Sequence, residues 1–178
     1  SQTVFYRNAE GVLLRDETNS ETLVNLHNGA LAWGDYDGDG DLDLAVSGEN
    51  VTSSGGLNAV SEFYKNDPPG TLELDGTMDA VNVKGGSLAW GDYDGDGNLD
   101  LAASGRPFGL FDGTDWVANI TLYRNRPAGL LSVDNTFSLG ATFRVAGDLS
   151  WVDYDNDGDS DLAAVGRSIL SDYQAFVF

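Results

Sequence analysis

The sequence predicts an all-β fold, a tandem array of four-stranded antiparallel sheets. Three observations lead there. A tryptophan-led acidic segment is written three times, as Trp33-Gly-Asp-Tyr-Asp-Gly-Asp-Gly-Asp-Leu-Asp43, Trp90-Gly-Asp-Tyr-Asp-Gly-Asp-Gly-Asn-Leu-Asp100 and Trp151-Val-Asp-Tyr-Asp-Asn-Asp-Gly-Asp-Ser-Asp161. A second segment also recurs, as Phe5-Tyr6-Arg7-Asn8, Phe63-Tyr64-Lys65-Asn66 and Leu122-Tyr123-Arg124-Asn125. The apolar runs beside these signals are too short for helices, and 23 glycines among 178 residues suit many tight turns.

The tryptophans stand 57 and 61 residues apart, a period long enough for four strands. In each unit the first strand is the short run ending in Trp33, Trp90 or Trp151, and the acidic segment is the turn after it. The second strand is the apolar run 42–48, 99–105 or 160–166, each closed by glycine. The Tyr-Arg/Lys-Asn segment forms the third strand, and runs such as Thr71-Leu-Glu-Leu74 and Leu130-Leu-Ser-Val133 form the fourth. The chain divides accordingly into a partial repeat over 1–29 holding the last two strands of a unit, full repeats over 30–86 and 87–147, and a partial third repeat over 148–178.

Each acidic turn has the pattern of a metal loop. Carboxylates occupy loop positions 1, 3, 5 and 9 with glycine at 6, which suits a hard cation that takes six to eight oxygen ligands. The candidate ligands are Asp35, Asp37, Asp39, Asp41 and Asp43; then Asp92, Asp94, Asp96, Asn98 and Asp100; then Asp153, Asp155, Asp157, Asp159 and Asp161. Alternate residues converge on one side of a curling backbone, position 7 offers mainly its carbonyl, and position 9 closes the shell from the start of the next strand. Position 4 is Gly38, Gly95 or Asn156, the residue types that most easily take left-handed backbone angles.

Oxygen ligands, no cysteine and one histidine argue against zinc, copper and iron–sulfur chemistry. Magnesium prefers a strict octahedron that retains several waters, so the expected ion is calcium, about three per chain. The EF-hand is excluded, because its position 12 needs a bidentate Glu on a helix and here holds Val46, Ala103 or Ala164 in an apolar run. Were these merely acidic turns, carboxylates ~4 Å apart would repel by roughly 1 to 4 kcal/mol per pair, depending on the dielectric.

The loops, the Trp before each and the Tyr-Arg-Asn strand resemble the FG-GAP/VCBS-type repeats of bacterial secreted proteins and of integrin α-subunit β-propellers. The resemblance covers nearly the whole chain. It implies propeller-blade-like sheets, with Asp35, Asp37, Asp39, Asp41, Asp43 and their equivalents binding calcium between adjacent strands of a blade. The family's literal Phe-Gly and Gly-Ala-Pro marks are not seen at matching places, and Asn98 replaces Asp at loop position 7.

Propellers close with four to eight blades, and this chain begins and ends inside a repeat. Its termini complement one another, so strands from neighbouring copies can complete a shared sheet head to tail, as a ring or an open filament. The apolar stretch Gln174-Ala-Phe-Val-Phe178 is a bare edge of the kind that invites pairing. The other reading is a piece of a longer propeller.

The net charge of −20 makes nucleic acid or an anionic membrane a poor partner. Of the 29 acidic residues 14 lie in the loops, and three divalent ions would bring the charge to about −14. No apolar run approaches the roughly 18 residues of a membrane span, and no charged-then-apolar leader opens the chain. Calcium loops of modest affinity fill outside cells, so the expected location is extracellular or on the cell surface, secreted. Asn50-Val-Thr52 and Asn119-Ile-Thr121 are possible glycosylation acceptors.

A solitary His27 leaves no Ser/His/Asp or Cys/His set to assemble, and a carboxylate committed to calcium is a poor proton shuttle, so no enzyme is expected. The recurrent tryptophans read as core packing, whereas Trp116 is the better candidate for an exposed ligand contact. Two function classes remain open. One is a structural or adhesive calcium-binding repeat protein partnered by other copies of itself or by further repeats. The other is a glycan- or protein-recognising propeller attached to a secreted carbohydrate-active enzyme or adhesin, with 105–116 carrying specificity.

Overall fold

A computed structural model describes residues 2–78, 80, 82–107, 119–126, 129–136, 143–144, 147–168 and 174–177. A hairpin of β1 (Phe5–Ala9) and β2 (Val12–Asp16) comes first, followed by the single turn-and-a-half helix α1 (Glu17–Thr22). The first sheet has the order β3 (His27–Gly34), β4 (Asp43–Val51), β5 (Leu57–Lys65), β6 (Glu73–Leu74), all antiparallel. The second is built from β7 (Val83–Lys84), β8 (Leu88–Gly91), β9 (Asp100–Pro107), β10 (Asn119–Arg126) and β11 (Leu130–Val133). The third comprises β12 (Phe143–Arg144), β13 (Leu149–Val152), β14 (Asp161–Ser168) and β15 (Gln174–Val177). The expected all-β, four-stranded antiparallel repeat is the observed one.

Alternation along the second strand of each sheet explains the stacking. Leu44 and Val46 face back toward the hairpin, in a cluster with Leu23, Tyr64 and Leu72, while Ala45 faces forward to Leu88, Leu101 and Ala103. One sheet on, Leu101 and Ala103 face back and Ala102 faces forward to Leu149, Leu162 and Ala164. A strand apolar on both faces is one buried between two layers, and β4 is buried from Asp43 to Glu49.

The first strand of each sheet is interrupted, which the sequence did not foretell. β3 shifts register between His27 and Ala30, and in the later sheets the strand splits into β7 with β8 and β12 with β13. Glycine sits at each break, four residues before the tryptophan. A β-carbon on Gly86 would lie 2.0 Å from the Ser104 carbonyl oxygen, and one on Gly147 would lie 1.8 Å from that of Val165. The break therefore lets two backbones touch where a side chain would hold them apart.

One short helix accompanies the strands, and two strand bounds need correction. Asp16 caps α1 by accepting the Asn19 N–H at 3.1 Å, and Asn19 ties the helix to the first sheet by accepting from Leu72 N and donating to Gly70 O. The strand drawn over 71–74 shrinks to Glu73–Leu74. The strands after the loops run past their closing glycines, to Val51, Pro107 and Ser168.

Candidate metal centres

Each acidic loop joins the first and second strands of its sheet, where paired strands hold the loop ends together: Gly34 faces Asp43, Gly91 faces Asp100 and Val152 faces Asp161. The turn needs left-handed backbone at loop positions 4 and 6. Gly38, Gly95 and Asn156 have φ of 76°, 70° and 62°, and Gly40, Gly97 and Gly158 have 99°, 90° and 99°. These are angles at which most side chains are strained.

The first loop aspartate organises the curl. Asp35, Asp92 and Asp153 each accept the N–H of the position-6 glycine, at 3.0, 2.9 and 3.1 Å. Carboxylate oxygens then converge: Asp35, Asp37 and Asp39 in the first loop, Asp92, Asp94 and Asp96 in the second, and Asp153, Asp155 and Asp161 in the third, within 4.8 Å of one another in each. Oxygen donors converging from one turn fit a hard divalent ion.

The other candidates divide by role. Asp43 is almost wholly buried, and its two oxygens accept main-chain N–H groups from Tyr36 at 3.3 Å and Asn66 at 3.0 Å. Asp100 does the same with Tyr93 at 3.2 Å and Asn125 at 2.8 Å, while Asp161 accepts from Tyr154 at 3.1 Å. Position 9 thus clips the loop to its own sheet. Burial, with the nearby charges of Asp37 and Asp39, pushes the Asp43 carboxyl up to about 6, although its two main-chain hydrogen bonds pull the other way. Burial likewise raises Asp100. Asp41, Asn98 and Asp159 are bonded through their own N–H groups to the position-5 residues Asp39, Asp96 and Asp157, so they shape the turn.

Tyrosine, lysine, arginine and aspartate side chains brace the first two loops from outside. The Tyr36 hydroxyl donates to Asp75 Oδ2 at 3.0 Å, and Tyr93 donates to Asp134. Lys65 bridges Asp37 at 2.8 Å and Asp75 at 3.9 Å; Arg124 bridges Asp94 at 3.2 Å and Asp134 at 3.0 Å. This gives the recurrent Tyr-Arg/Lys-Asn strand a physical role: its cation reaches the loop and its asparagine N–H locks position 9. Hydrogen bonds from Thr136 and Tyr93, with Arg124, hold Asp134 well below the usual carboxylate range, and burial together with Asp75 holds the Tyr36 phenol far above its ordinary value. Sequence reasoning missed Asp75 and Asp134. Their signal was available as Asp75-Gly-Thr77 and Asp134-Asn-Thr136, in which the threonine hydroxyl and N–H both bond the aspartate.

The tryptophans pack between sheets, as expected for the second and third. Trp90 stacks on Tyr36 with centroids 5.6 Å apart, and Trp151 on Tyr93 at 5.9 Å. Their indole N–H groups donate to Ala32 O at 3.4 Å and Ala89 O at 3.1 Å. Among the described residues Trp33 has Phe5 as its one ring neighbour, and it is 40% exposed. Trp116 and most of 105–116 lie outside the described residues. Asn119 is exposed at the start of β10 and Asn50 half-buried in β4. Among the described residues no helix is long and apolar enough to cross a membrane.

Residues 35–103, from the first loop through the strand after the second, match a family model described as an FG-GAP-like repeat. No curated protein matches the chain.

Proposed function

We propose, from the premise that this chain carries FG-GAP-like repeats, that it is a calcium-binding β-repeat protein working outside the cell in a structural or adhesive role. The observation that carries the reading is the convergence of carboxylate oxygens within 4.8 Å in three loops at equivalent strand junctions. One such cluster would suit a reactive centre. Three, each at the same joint of its sheet, suit ions that staple the joint.

The residues that would hold the ion are Asp35, Asp37 and Asp39, then Asp92, Asp94 and Asp96, then Asp153, Asp155 and Asp161, with the remaining loop aspartates and Asn98 shaping the turn. Calcium supplies charge neutralisation there: it relieves repulsion among carboxylates that, among the described residues, Lys65 and Arg124 offset in the first two loops. Binding rather than catalysis is the role, and its partners are further copies or further repeats. The exposed apolar residues Leu31 and Trp33 at one end of the stack, and Val152 and Tyr154 at the other, support association through the stack's outer faces.

Sedimentation of the purified protein in calcium and in chelator tests this. Concentration-dependent association that is lost in chelator agrees with a calcium-dependent structural assembly. A species that stays monomeric at every concentration in both conditions rules out self-assembly and leaves further repeats as the partner.

A further inference from the structure

The first two acidic loops rest in seats built by their own sheet, and the first is closed over by the sheet that follows. The loop's own sheet supplies three groups. The cation of the Tyr-Arg/Lys-Asn strand reaches loop position 3, Lys65 to Asp37 and Arg124 to Asp94. The asparagine N–H after it locks position 9, Asn66 to Asp43 and Asn125 to Asp100. The aspartate that follows the fourth strand accepts the loop tyrosine hydroxyl, Asp75 from Tyr36 and Asp134 from Tyr93. The second sheet then covers the first loop: Trp90 stacks on Tyr36, Asn125 Nδ2 donates to Tyr36 O at 2.5 Å, and a β-carbon on Gly129 would lie 3.4 Å from Asp37 Cβ.

All of these groups recur around the hairpin of β1 and β2. The ladder sets the equivalence: Asp16 pairs with Phe5, just as Asp75 N donates to Phe63 O and Asp134 N to Leu122 O, so Asp16 stands where Asp75 and Asp134 stand. Asp16-Glu17-Thr18 also repeats the spacing of Asp75-Gly-Thr77 and Asp134-Asn-Thr136. Arg7 and Asn8 take the places of Lys65 and Asn66, while Trp33, the Asn66 side chain and Gly70 take those of Trp90, Asn125 and Gly129. Phe5 meets Trp33 edge-on at 6.0 Å and 69°, as Phe63 meets Trp90 at 6.3 Å and 63°. These groups line one cleft of about 370 Å³ between the hairpin and the first sheet.

What the second sheet covers in its neighbour, the first sheet leaves open. Gly129 is buried against the first loop, whereas Gly70 is exposed and a β-carbon there would meet nothing within 4 Å. Trp33 is 40% exposed, and Arg7 reaches solvent. Asp16 accepts from Asn19 N at 3.1 Å and Asn19 Nδ2 at 3.2 Å, and a carboxylate has lone pairs for a further donor such as a phenol.

We propose that this cleft is the seat of a further acidic loop of the Trp-Gly-Asp-Tyr-Asp kind, with the loop tyrosine between Trp33 and Asp16 and its position-3 aspartate on Arg7. The proposal rests on the reading of this chain as a repeat protein partnered by further repeats, and it names the surface and the segment that surface takes. Charge agrees, since an exposed guanidinium meets a cluster of aspartates. The third loop of a second copy fits less well. Val152 holds the place of Gly34 and Gly91, whose missing β-carbons leave the room that the next tryptophan fills, and β14 already carries β15 along the edge where the hairpin would have to pair.

The test extends the full chain. Phe5 and Phe63 are 58 residues apart, so a duplicate of residues 27–58 placed directly ahead of Ser1 delivers a strand, loop and strand in register with the hairpin. Solvent exchange of the assigned Trp33 indole N–H, followed by NMR in calcium, reports the seat. Extension should slow that exchange about tenfold or more, toward the behaviour of Trp90 and Trp151, whose indoles donate to main-chain carbonyls. Arg7→Gln in the extended chain should give back about tenfold of the protection, the loss expected for one charge-assisted hydrogen bond. Trp33 exchange unaltered by the extension, or by Arg7→Gln within it, overturns the proposal. Self-association of the unextended chain that protects Trp33 and is lost in Tyr154→Ala would make a second copy the occupant and overturn it too. Ions counted on the unextended chain judge the calcium reading separately: none bound would sink that reading, and Trp33 exchange would still decide the seat.

Discussion

The indole of Trp90 rests directly on Gly34: a β-carbon on that glycine would stand 2.7 Å from Trp90 Cδ1. The contact repeats one sheet later, where a β-carbon on Gly91 would lie 2.5 Å from Trp151 Cγ. Each tryptophan therefore docks into the space left by the glycine that follows the tryptophan of the sheet before it. Val152 holds that position in the third sheet and is 47% exposed. Gly34→Ala or Gly91→Ala should cost about 1–3 kcal/mol by overpacking, while Val152→Gly should stay within about 1 kcal/mol. Urea unfolding at fixed calcium measures both. Equal losses at Gly91 and Val152 would remove the docking role.

Asp39 offers one of the converging oxygens of the first loop. Asp39→Ala should reduce bound calcium by one ion per chain and lower Tm in calcium, with little change in chelator. Native mass spectrometry counts the ions. An unaltered count means that the first loop does not bind.

The buried Asp75 collects hydrogen bonds from Tyr36 and from both the N–H and hydroxyl of Thr77. Tyr36→Phe removes one of these and should cost about 0.5–1.5 kcal/mol, whereas Asp75→Ala strands several donors and should cost about 1–3 kcal/mol or more. Chemical unfolding of the two variants gives the comparison. The reverse order would contradict the network.

Acid should oppose metal uptake. Burial pushes Asp43 up to about 6 in the metal-free fold, from an ordinary 3.8, so between those values the folded chain binds a proton that the unfolded chain has released. For this group, metal-free stability rises as pH falls through about 6, whereas calcium needs the ionised loop, and the calcium-induced gain in Tm must shrink over the same fall. Melting curves with calcium and with chelator at pH values on either side of about 6 check the sign. A calcium gain independent of pH would show that loop protonation is not coupled to binding.

The loops were legible because a metal shell built from one turn demands fixed residue types at fixed spacing, all within Asp35–Asp43 and its equivalents. Strands were legible where apolar residues bracket the loops, as at Leu44-Ala45-Val46. What lay hidden depends on partners distant in sequence. Asp75 meets Tyr36 across 39 residues, and the pairing becomes visible only when β5 and β6 return beside the loop. The glycines at 29, 86 and 147 recur four residues before each tryptophan, but their role rests on contact with the neighbouring strand. Helix α1 has no apolar period, being Glu-Thr-Asn-Ser-Glu-Thr, and only the Asp16 cap and the seating of Asn19 against Leu72 and Gly70 account for it. Asp43 and Asp100, expected to close the ion's shell, also hold main-chain N–H groups from Tyr36, Asn66, Tyr93 and Asn125, partners that loop spacing does not reveal.

Thermal unfolding during calcium titration, with the bound ions counted on the same sample, decides whether the loops are held by metal. About three calcium ions per chain are expected, with a Tm that rises with free calcium, each site adding about 2.7 kcal/mol at a hundredfold excess over its Kd. A Tm indifferent to calcium and chelator, with no ion retained, would contradict it.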